Sequence, residues 1–395
     1  MSNQTYDVVI VGGSFGGLVA GKEAAEKGLK TLILERGKRP GDKILSGCGV
    51  PPWIFLEMPW LEGAPIQRWV DRFCNHNIEN GDVHVSVCAG SSGGISIPFI
   101  YCKTFLGWLA EKAEDAGAEL RTSTVSSSVI KEKGHVRGVV TEDGTEIRSD
   151  IVIAADGMWS MTATKAGIRR KLQPDNILHL VAYDMAMPSK EALEEALGGS
   201  AFHVFWDPTR EIFPEHFVYL GIFPYEDSFH VEGGTSLTYL GREGRDYDKL
   251  YKRFFELPWY RERFAKAKLR SRMWRPYPTF EGLQGVLRGH DRTYANGIMI
   301  VGDAAGFMAT ASSAGIPQAL LSGRMAAEVA AEAISKGDAS KKTLKQYEEK
   351  WRNSIILPLL NNYARRDYFR STDPKFNKRQ SFETYFWPMI LQEPV

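Results

Sequence analysis

The chain has 395 residues, with 49 Lys+Arg against 48 Asp+Glu, 43% hydrophobic and 25% charged residues. That length predicts two or three domains, or one large one with insertions, and the balance excludes a disordered chain or a nucleic-acid binder driven by bulk charge. Glycine is in excess, 38 residues against 19 prolines, above the roughly 7% usual share, so the placement of the glycines becomes the question.

Met1–Tyr6 is short and polar, with no basic stretch before an apolar run, so no signal peptide is expected. Tyr6–Val11 reads as a buried parallel strand. A Gly-rich turn follows at Gly12–Gly17, then an Ala-rich helix over Leu18–Lys27, stopped by Gly28, and a second strand over Lys30–Glu35. The stretch to about Gly94 reads as Gly-rich and irregular. Trp108–Ala116 predicts a helix, Glu119–Arg148 strands with a turn at Asp143-Gly144, and Ile151–Ala155 another buried strand. β-Branched and aromatic runs at Leu178–Met187, Ala201–Trp206 and Phe217–Tyr239 predict an antiparallel sheet and a second domain. Lys249–Lys268 reads as helix, Ile298–Val301 as a short buried strand, and Ile316–Lys336 and Leu344–Tyr363 as helices. Arg365–Val395 is a basic and aromatic tail that either packs on the protein or meets a membrane surface. No stretch reaches the about 20 apolar residues of a spanning helix.

The four cysteines, Cys48, Cys74, Cys88 and Cys102, make no C-x-x-C pair, so neither a zinc site nor an iron–sulfur cluster is expected. Without a signal sequence they are expected to stay reduced, in a cytoplasm. Cys48, within Ser46-Gly47-Cys48-Gly49, is either a small residue in a tight Gly turn or part of a cavity wall.

Three motifs follow the predicted parallel strands. The first, Gly12-Gly13-Ser14-Phe15-Gly16-Gly17, fits a G-x-G-x-x-G frame with Ser14 at the second glycine. Its amides and the helix N-terminus behind it attract phosphate. Glu35 closes the next strand 23 residues after Gly12, a spacing suited to a carboxylate on a ribose 2′-hydroxyl. Arg36 could reach an adenine or phosphates. The second is Asp156-Gly157 with Ser160, after Ile151–Ala155. The third is Gly302-Asp303-Ala304-Ala305-Gly306, after Ile298–Val301 and before Gly315 and the helix from Ile316. There a carboxylate can accept from a ligand hydroxyl, while the helix N-terminus favours negative charge on a ring.

In this order and spacing the motifs resemble those of the FAD-dependent reductase and monooxygenase superfamily that includes p-hydroxybenzoate hydroxylase. The resemblance implies FAD as cofactor, held by Gly12, Ser14, Phe15, Gly16, Gly17, Glu35, Arg36, Asp156, Gly157, Gly302, Asp303, Gly315 and Ile316. Lys103 stands where the family's R-x-x-F-D-x-x-L has its arginine, keeping the charge but losing the bidentate fork. Within the superfamily the chain is similar to the geranylgeranyl reductase branch, beside the electron-transfer-flavoprotein:quinone oxidoreductase-like proteins. Gly302–Phe307, Ala319–Glu328 and Gly41-Asp42-Lys43 with the Gly-Cys-Gly stretch carry that likeness. The branch's P-x-x-Y-x-W-x-F-P maps to His216–Pro224; Tyr219, Phe223 and Pro224 match, whereas His216 and Gly221 depart. Gly221 in place of Trp is expected to leave room in a substrate pocket.

The implied fold is an α/β FAD-binding domain, Rossmann-like and of glutathione-reductase type, with an inserted antiparallel-sheet substrate domain and a helical C-terminal region. The expected segments are 1–75, 100–170 and 281–336 for FAD, 76–99 and 171–280 for substrate, and 337–395 for the C-terminal region. The implied function is an FAD-dependent oxidoreductase transferring hydride from reduced FAD to a C=C bond of a hydrophobic, isoprenoid-like substrate, with Cys48 and Tyr219 as candidate catalytic acids. Alternatives are electron transfer to a quinone, aromatic hydroxylation, and a non-catalytic flavin-binding membrane-associated protein. The donor is NAD(P)H, ferredoxin or a flavoprotein; no nucleic acid and no metal is expected, and the location is cytoplasmic or peripheral to a membrane.

Overall fold

A computed structural model describes residues 5–42, 47–90, 96–169, 177–207, 212, 220–236, 247–278, 292–308 and 315–360. Tyr219 and the basic-aromatic tail from Arg365 therefore lie outside the described residues. The chain forms two units, one from 1–44, 106–176 and 277–374, the other built around 45–105 and 177–276. Strands are numbered along the whole chain.

The first unit is organised by one sheet. Its strands are β1 (Thr5–Val11), β2 (Thr31–Leu34), β8 (Glu119–Arg121), β9 (Ser126–Glu132), β10 (His135–Thr141), β11 (Glu146–Ala154), β17 (Tyr294–Ala295) and β18 (Ile298–Ile300). The order β17-β18-β11-β1-β2-β8 is parallel from β18 to β8, with β10 attached antiparallel to the first half of β11 and β9 antiparallel to β10. Val8, Val9, Ile10, Leu32, Ile33, Ile151, Val152 and Ile153 are fully buried, which is why these strands read as continuous apolar runs rather than alternating ones. Helix Phe15–Glu26 packs against helix Ile316–Ser335. Gly16 and Gly323 set that crossing: a Cβ on Gly16 would stand 2.9 Å from the Ala319 carbonyl, and one on Gly323 would strike the Gly16 carbonyl.

The second unit holds β5 (Arg72–Glu79), β6 (Asp82–Gly90), β12 (Ile177–Ala186), β13 (Ala201–Trp206), β14 (Leu220–Pro224), β15 (Ser228–Ser236) and β16 (Lys268–Pro278), in the order β16-β12-β15-β14-β13-β5-β6. A small sheet β3-β7-β4 is made by β3 (Gly47–Gly49), β4 (Arg68–Val70) and β7 (Ile97–Tyr101). Both faces of the large sheet are covered. Phe205, Leu220, Ile222 and Val231 face helices Tyr247–Glu256 and Pro258–Phe264, while Phe202, Val204, Trp206 and Phe223 pack with Phe73 and Phe99.

Several sequence expectations change. Against the antiparallel expectation, β13 and β5 pair in parallel from Ala201↔Arg72 to Trp206↔Asn77, since no hairpin joins them. Residues 45–75 belong to the second unit, because β3 and β4 complete their sheet on β7. The Gly-Cys-Gly stretch is strand β3 rather than a tight turn. The helix expected from Trp108 begins at Cys102, and Lys249–Lys268 breaks at Leu257, where Pro258 starts a new helix and β16 takes over at Lys268. Cys74 and Cys88, expected as thiols, are joined in a disulfide; they are direct register partners across β5 and β6.

Candidate cofactor site

Four adjacent strands end together. Val11 is in register with Leu34 on one side and Ala154 on the other, and Ala154 with Ile300. Their carboxyl ends therefore bring the first motif, Glu35, Asp156-Gly157 and Gly302-Asp303 to one edge, the edge where open α/β sheets bind ligands.

Gly12 turns the chain off β1 with φ +109°, and a Cβ there would overlap the Ala155 carbonyl. Ser14 is more than a small residue tolerated at a glycine position. It is the N-cap of Phe15–Glu26: its Oγ accepts from the Gly17 amide at 3.3 Å, and its hydroxyl donates to the Ala155 carbonyl at 2.9 Å. One side chain thus caps the helix and ties the first motif to the end of β11. Glu35 accepts from the Gly13 amide at 2.9 Å and from the Gly37 amide at 2.5 Å, which fixes the carboxylate beside the turn. Arg36 is exposed at the same strand end.

Asp156 is committed to its own turn. One carboxylate oxygen accepts from the Ser160 hydroxyl at 2.5 Å and the other from the Thr162 amide at 3.0 Å, while Ser160 caps the short helix Met161–Ala166. Gly157 supplies the positive φ, +78°, that lets this turn form. Gly302, with its amide donating to the buried Ser322 hydroxyl at 3.1 Å, opens the 3-10 turn Gly302–Ala305. Gly315 is the N-cap of Ile316–Ser335, and a Cβ on it would lie 3.2 Å from Asp303 Oδ1. The Asp303 carboxylate therefore stands at that helix's N-terminus, with Ile316 in its first turn. Arg169, which carries no motif signal in the sequence, donates to the Asp303 and Ala304 carbonyls at 3.1 and 2.6 Å. It joins the segment after the second motif to the third.

These residues fit a flavin dinucleotide. Gly12, Gly16 and Gly17 let the turn pack tightly on Ala155, Ala319 and its own first carbonyl, which sets out a helix N-terminus of the kind that holds a pyrophosphate. Glu35 and Asp303 are carboxylates at the same edge, the kind of acceptor that ribose and ribitol hydroxyls would need, and the Gly315–Ile316 helix end carries the positive potential that an electron-rich ring would favour.

Cys48 and Lys103 belong to the second unit. Cys48 is partly exposed in β3, opposite Ile100, and Lys103 is exposed in the first turn of Cys102–Asp115. The room expected at Gly221 is filled: a Cβ there would stand 2.8 Å from the Phe223 ring and 3.3 Å from Phe202. Two buried groups of the second unit had no sequence signal, because alternating strands give histidines no distinct pattern. His76 and His203 share a hydrogen bond of 2.8 Å, and His203 Nε2 donates to the Leu197 carbonyl at 3.0 Å. Burial pushes them down to about 3 and about 4. His230, fully buried, meets the Tyr225 hydroxyl at 3.1 Å and faces Asp184. Beside them, burial and the Asp184 charge push Tyr101 up to about 12.

A family model described as FAD dependent oxidoreductase matches residues 7–169. Digeranylgeranylglycerophospholipid reductase 2 of Methanococcoides burtonii is 30% identical over 380 residues, covering 94% of this chain and 86% of that protein. A digeranylgeranylglycerophospholipid reductase of Methanocaldococcus jannaschii is 28% identical over 368 residues, covering 91% and 85%. Among solved structures, a geranylgeranyl bacteriochlorophyll reductase-like protein from Thermoplasma acidophilum aligns with a TM-score of 0.74 and 23% identity over 98% of both chains. The flavin-dependent brominase Bmp2 aligns at 0.70 and 18%, covering 98% and 93%. At such identities these structures speak for the fold alone.

Proposed function

Because the chain belongs to the digeranylgeranylglycerophospholipid reductase family of FAD-dependent oxidoreductases, we propose that it saturates C=C bonds in the isoprenoid chains of a lipid. The observation that carries this is the four-strand edge that sets Gly12–Gly17, Glu35 and Asp303 beside two helix N-termini, in a chain that spans most of the length of reductases named for such lipids.

FAD held at that edge supplies the hydride equivalent. The protein's part is to bind and orient it. Ser14 and Glu35 keep the first turn closed around the pyrophosphate position, and Arg169 holds the carbonyls of the turn that presents Asp303. The second carbon of the alkene needs a proton, for which Cys48 and Tyr219 are the candidate donors. Among the described residues no helix is long and apolar enough to cross a membrane. A lipid substrate then implies peripheral contact with a membrane surface from the cytoplasmic side, with NAD(P)H, ferredoxin or a flavoprotein as donor.

The test is anaerobic. Holoenzyme reduced with dithionite is mixed with a lipid bearing geranylgeranyl chains, with soluble quinones, or with oxygen. Reoxidation by the lipid, with each reduced bond heavier by two hydrogens in the product, is expected. Reoxidation by quinone with an unchanged lipid would overturn the reductase reading in favour of electron transfer.

A further inference from the structure

Helices Tyr247–Glu256 and Pro258–Phe264 of the second unit, with the first half of β16, gather positive charge. Residues 247–274 carry nine Lys and Arg against three Asp and Glu, in a chain whose net charge is only +1. Helical period sorts these cations outward. Tyr247, Leu250, Tyr251 and Phe254 bury against the large sheet, as do Trp259 and Phe264 of the next helix. Lys249, Lys252 and Arg253, spaced i, i+3 and i+4, are left on the outer side of the first helix, and Arg261 and Arg263 on that of the second, all exposed. Both helices cover one face of one sheet, so their outer sides point the same way, away from it. Lys266 and Lys268, also exposed, carry the charge on into β16. The acids nearby do not cancel it. Asp248 is taken by Arg272 and Glu256 by Lys252, whereas Lys249, Arg261, Arg263, Lys266 and Lys268 have no ion pair among the described residues. Beside the start of the first helix, Trp274 of β16 packs on His179 and Tyr247, with ring centroids 4.9 and 5.9 Å apart, and is still 50% exposed.

Resting on the reading of a lipid substrate, we propose that this face is the surface by which the protein docks on a membrane rich in anionic phospholipid. Like charges crowded on one face repel each other, a cost that a negatively charged surface turns into attraction. Composition favours a membrane over an acidic protein. Lysine is depleted where proteins meet proteins, whereas lysines around a half-exposed tryptophan suit a headgroup layer. There the ammonium groups reach phosphates while their aliphatic stems and the indole ring sit at the level of the interface. His179 and Tyr247 hold one side of the Trp274 ring, so the side that meets lipid is already oriented. Each cation close to an anionic surface strengthens binding about fivefold. A handful of them therefore gives firm but salt-reversible attachment without a spanning helix.

The test sediments the full-length holoenzyme with vesicles of straight-chain phosphatidylcholine, with or without phosphatidylglycerol, none of which has an isoprenoid chain to reduce. Wild type should bind only the vesicles containing phosphatidylglycerol and be released by salt. The triple variant Lys249→Gln, Lys266→Gln, Lys268→Gln changes exposed side chains without ion pairs. It should melt as wild type does and bind roughly a hundredfold more weakly. In a second readout, brominated phosphatidylcholine mixed into the phosphatidylglycerol vesicles should quench tryptophan fluorescence, and less so in Trp274→Phe, which keeps a ring against His179 and Tyr247. Absence of wild-type binding, a triple variant that binds like wild type, or quenching unchanged in Trp274→Phe overturns the surface. Retention on polyglutamate without vesicle binding also overturns it and assigns the face to an acidic protein. The reaction and the surface fail separately. Vesicle binding without reduction of any geranylgeranyl lipid refutes the reaction but not the surface, whereas reduction of that lipid in detergent by a protein that binds no vesicle refutes the surface alone.

Discussion

Acidification should destabilise the second unit through His76 and His203. The tautomers follow from the bonds. The Leu197 carbonyl can only accept, so His203 carries its proton on Nε2 and accepts at Nδ1; His76 must then donate from Nε2, which leaves its buried Nδ1 without a partner. Neither ring has a place for a second proton, and burial lowers both, to about 3 and about 4. An unfolded histidine titrates near 6.5, so between that pH and the folded values the unfolded chain binds more protons and stability falls as pH falls. The slope is ~1.4 kcal/mol per pH unit for each histidine, or about 2 kcal/mol each on going from pH 7.5 to pH 5. His76→Phe keeps a ring between His203 and Phe205, whose centroids lie 5.0 and 4.7 Å away, and removes one of the two titrations. Urea midpoints of the holoenzyme measured from pH 5 to pH 8 should fall less steeply with acid in the variant, by the His76 share, while His203 and His179, also lowered by burial, keep theirs. An identical slope in both proteins, or a His76 imidazole NMR signal titrating near 6.5, would refute the argument.

Other outcomes test the cofactor edge and its surroundings. Gly323→Val should push the two packed helices apart at the Gly16 carbonyl; overpacking of about 1–3 kcal/mol predicts weaker FAD retention, read by flavin fluorescence on thermal release. Arg169→Met removes the Nη1 that donates to both the Asp303 and Ala304 carbonyls, and a loss of about 1–2 kcal/mol should weaken FAD binding roughly tenfold by titration, whereas Arg169→Lys should recover part of it. Gly221→Trp restores the family residue but meets Phe223 and Phe202; it should lower the melting temperature, and a variant as stable as the parent would show that the aromatic cluster has slack.

The motifs were legible because their signals are local. A β-branched run, a glycine turn and a helix start occur together within a dozen residues around Val11, and Asp156 and Asp303 likewise follow short apolar strands. Strand order was not legible in the same way: that β11 separates β1 from β18, or that β5 pairs with β13, depends on partners far away in sequence. Ser14 illustrates the limit. Its size could be read, but its second bond goes to Ala155, on another strand. The break at Leu257-Pro258 did have a signal, the proline itself. The Cys74–Cys88 pairing had none until the β5–β6 register placed the two opposite each other.

The interleaving of the two units bears on how the protein is made. Ser14 and Ala155, which close the first turn, are 141 residues apart, and Asp303 emerges from the ribosome later still, after the strands of the large second sheet. Nothing synthesised early can complete the nucleotide edge alone. The nascent chain must carry β1 and its glycine turn through the synthesis of another unit before β18 arrives, a high-contact-order assembly that folds slowly and exposes strand edges on the way. Cofactor capture is therefore a late event in biosynthesis. The supply of FAD to cells expressing the protein should govern the yield of chains that finish folding more than the amount of chain begun.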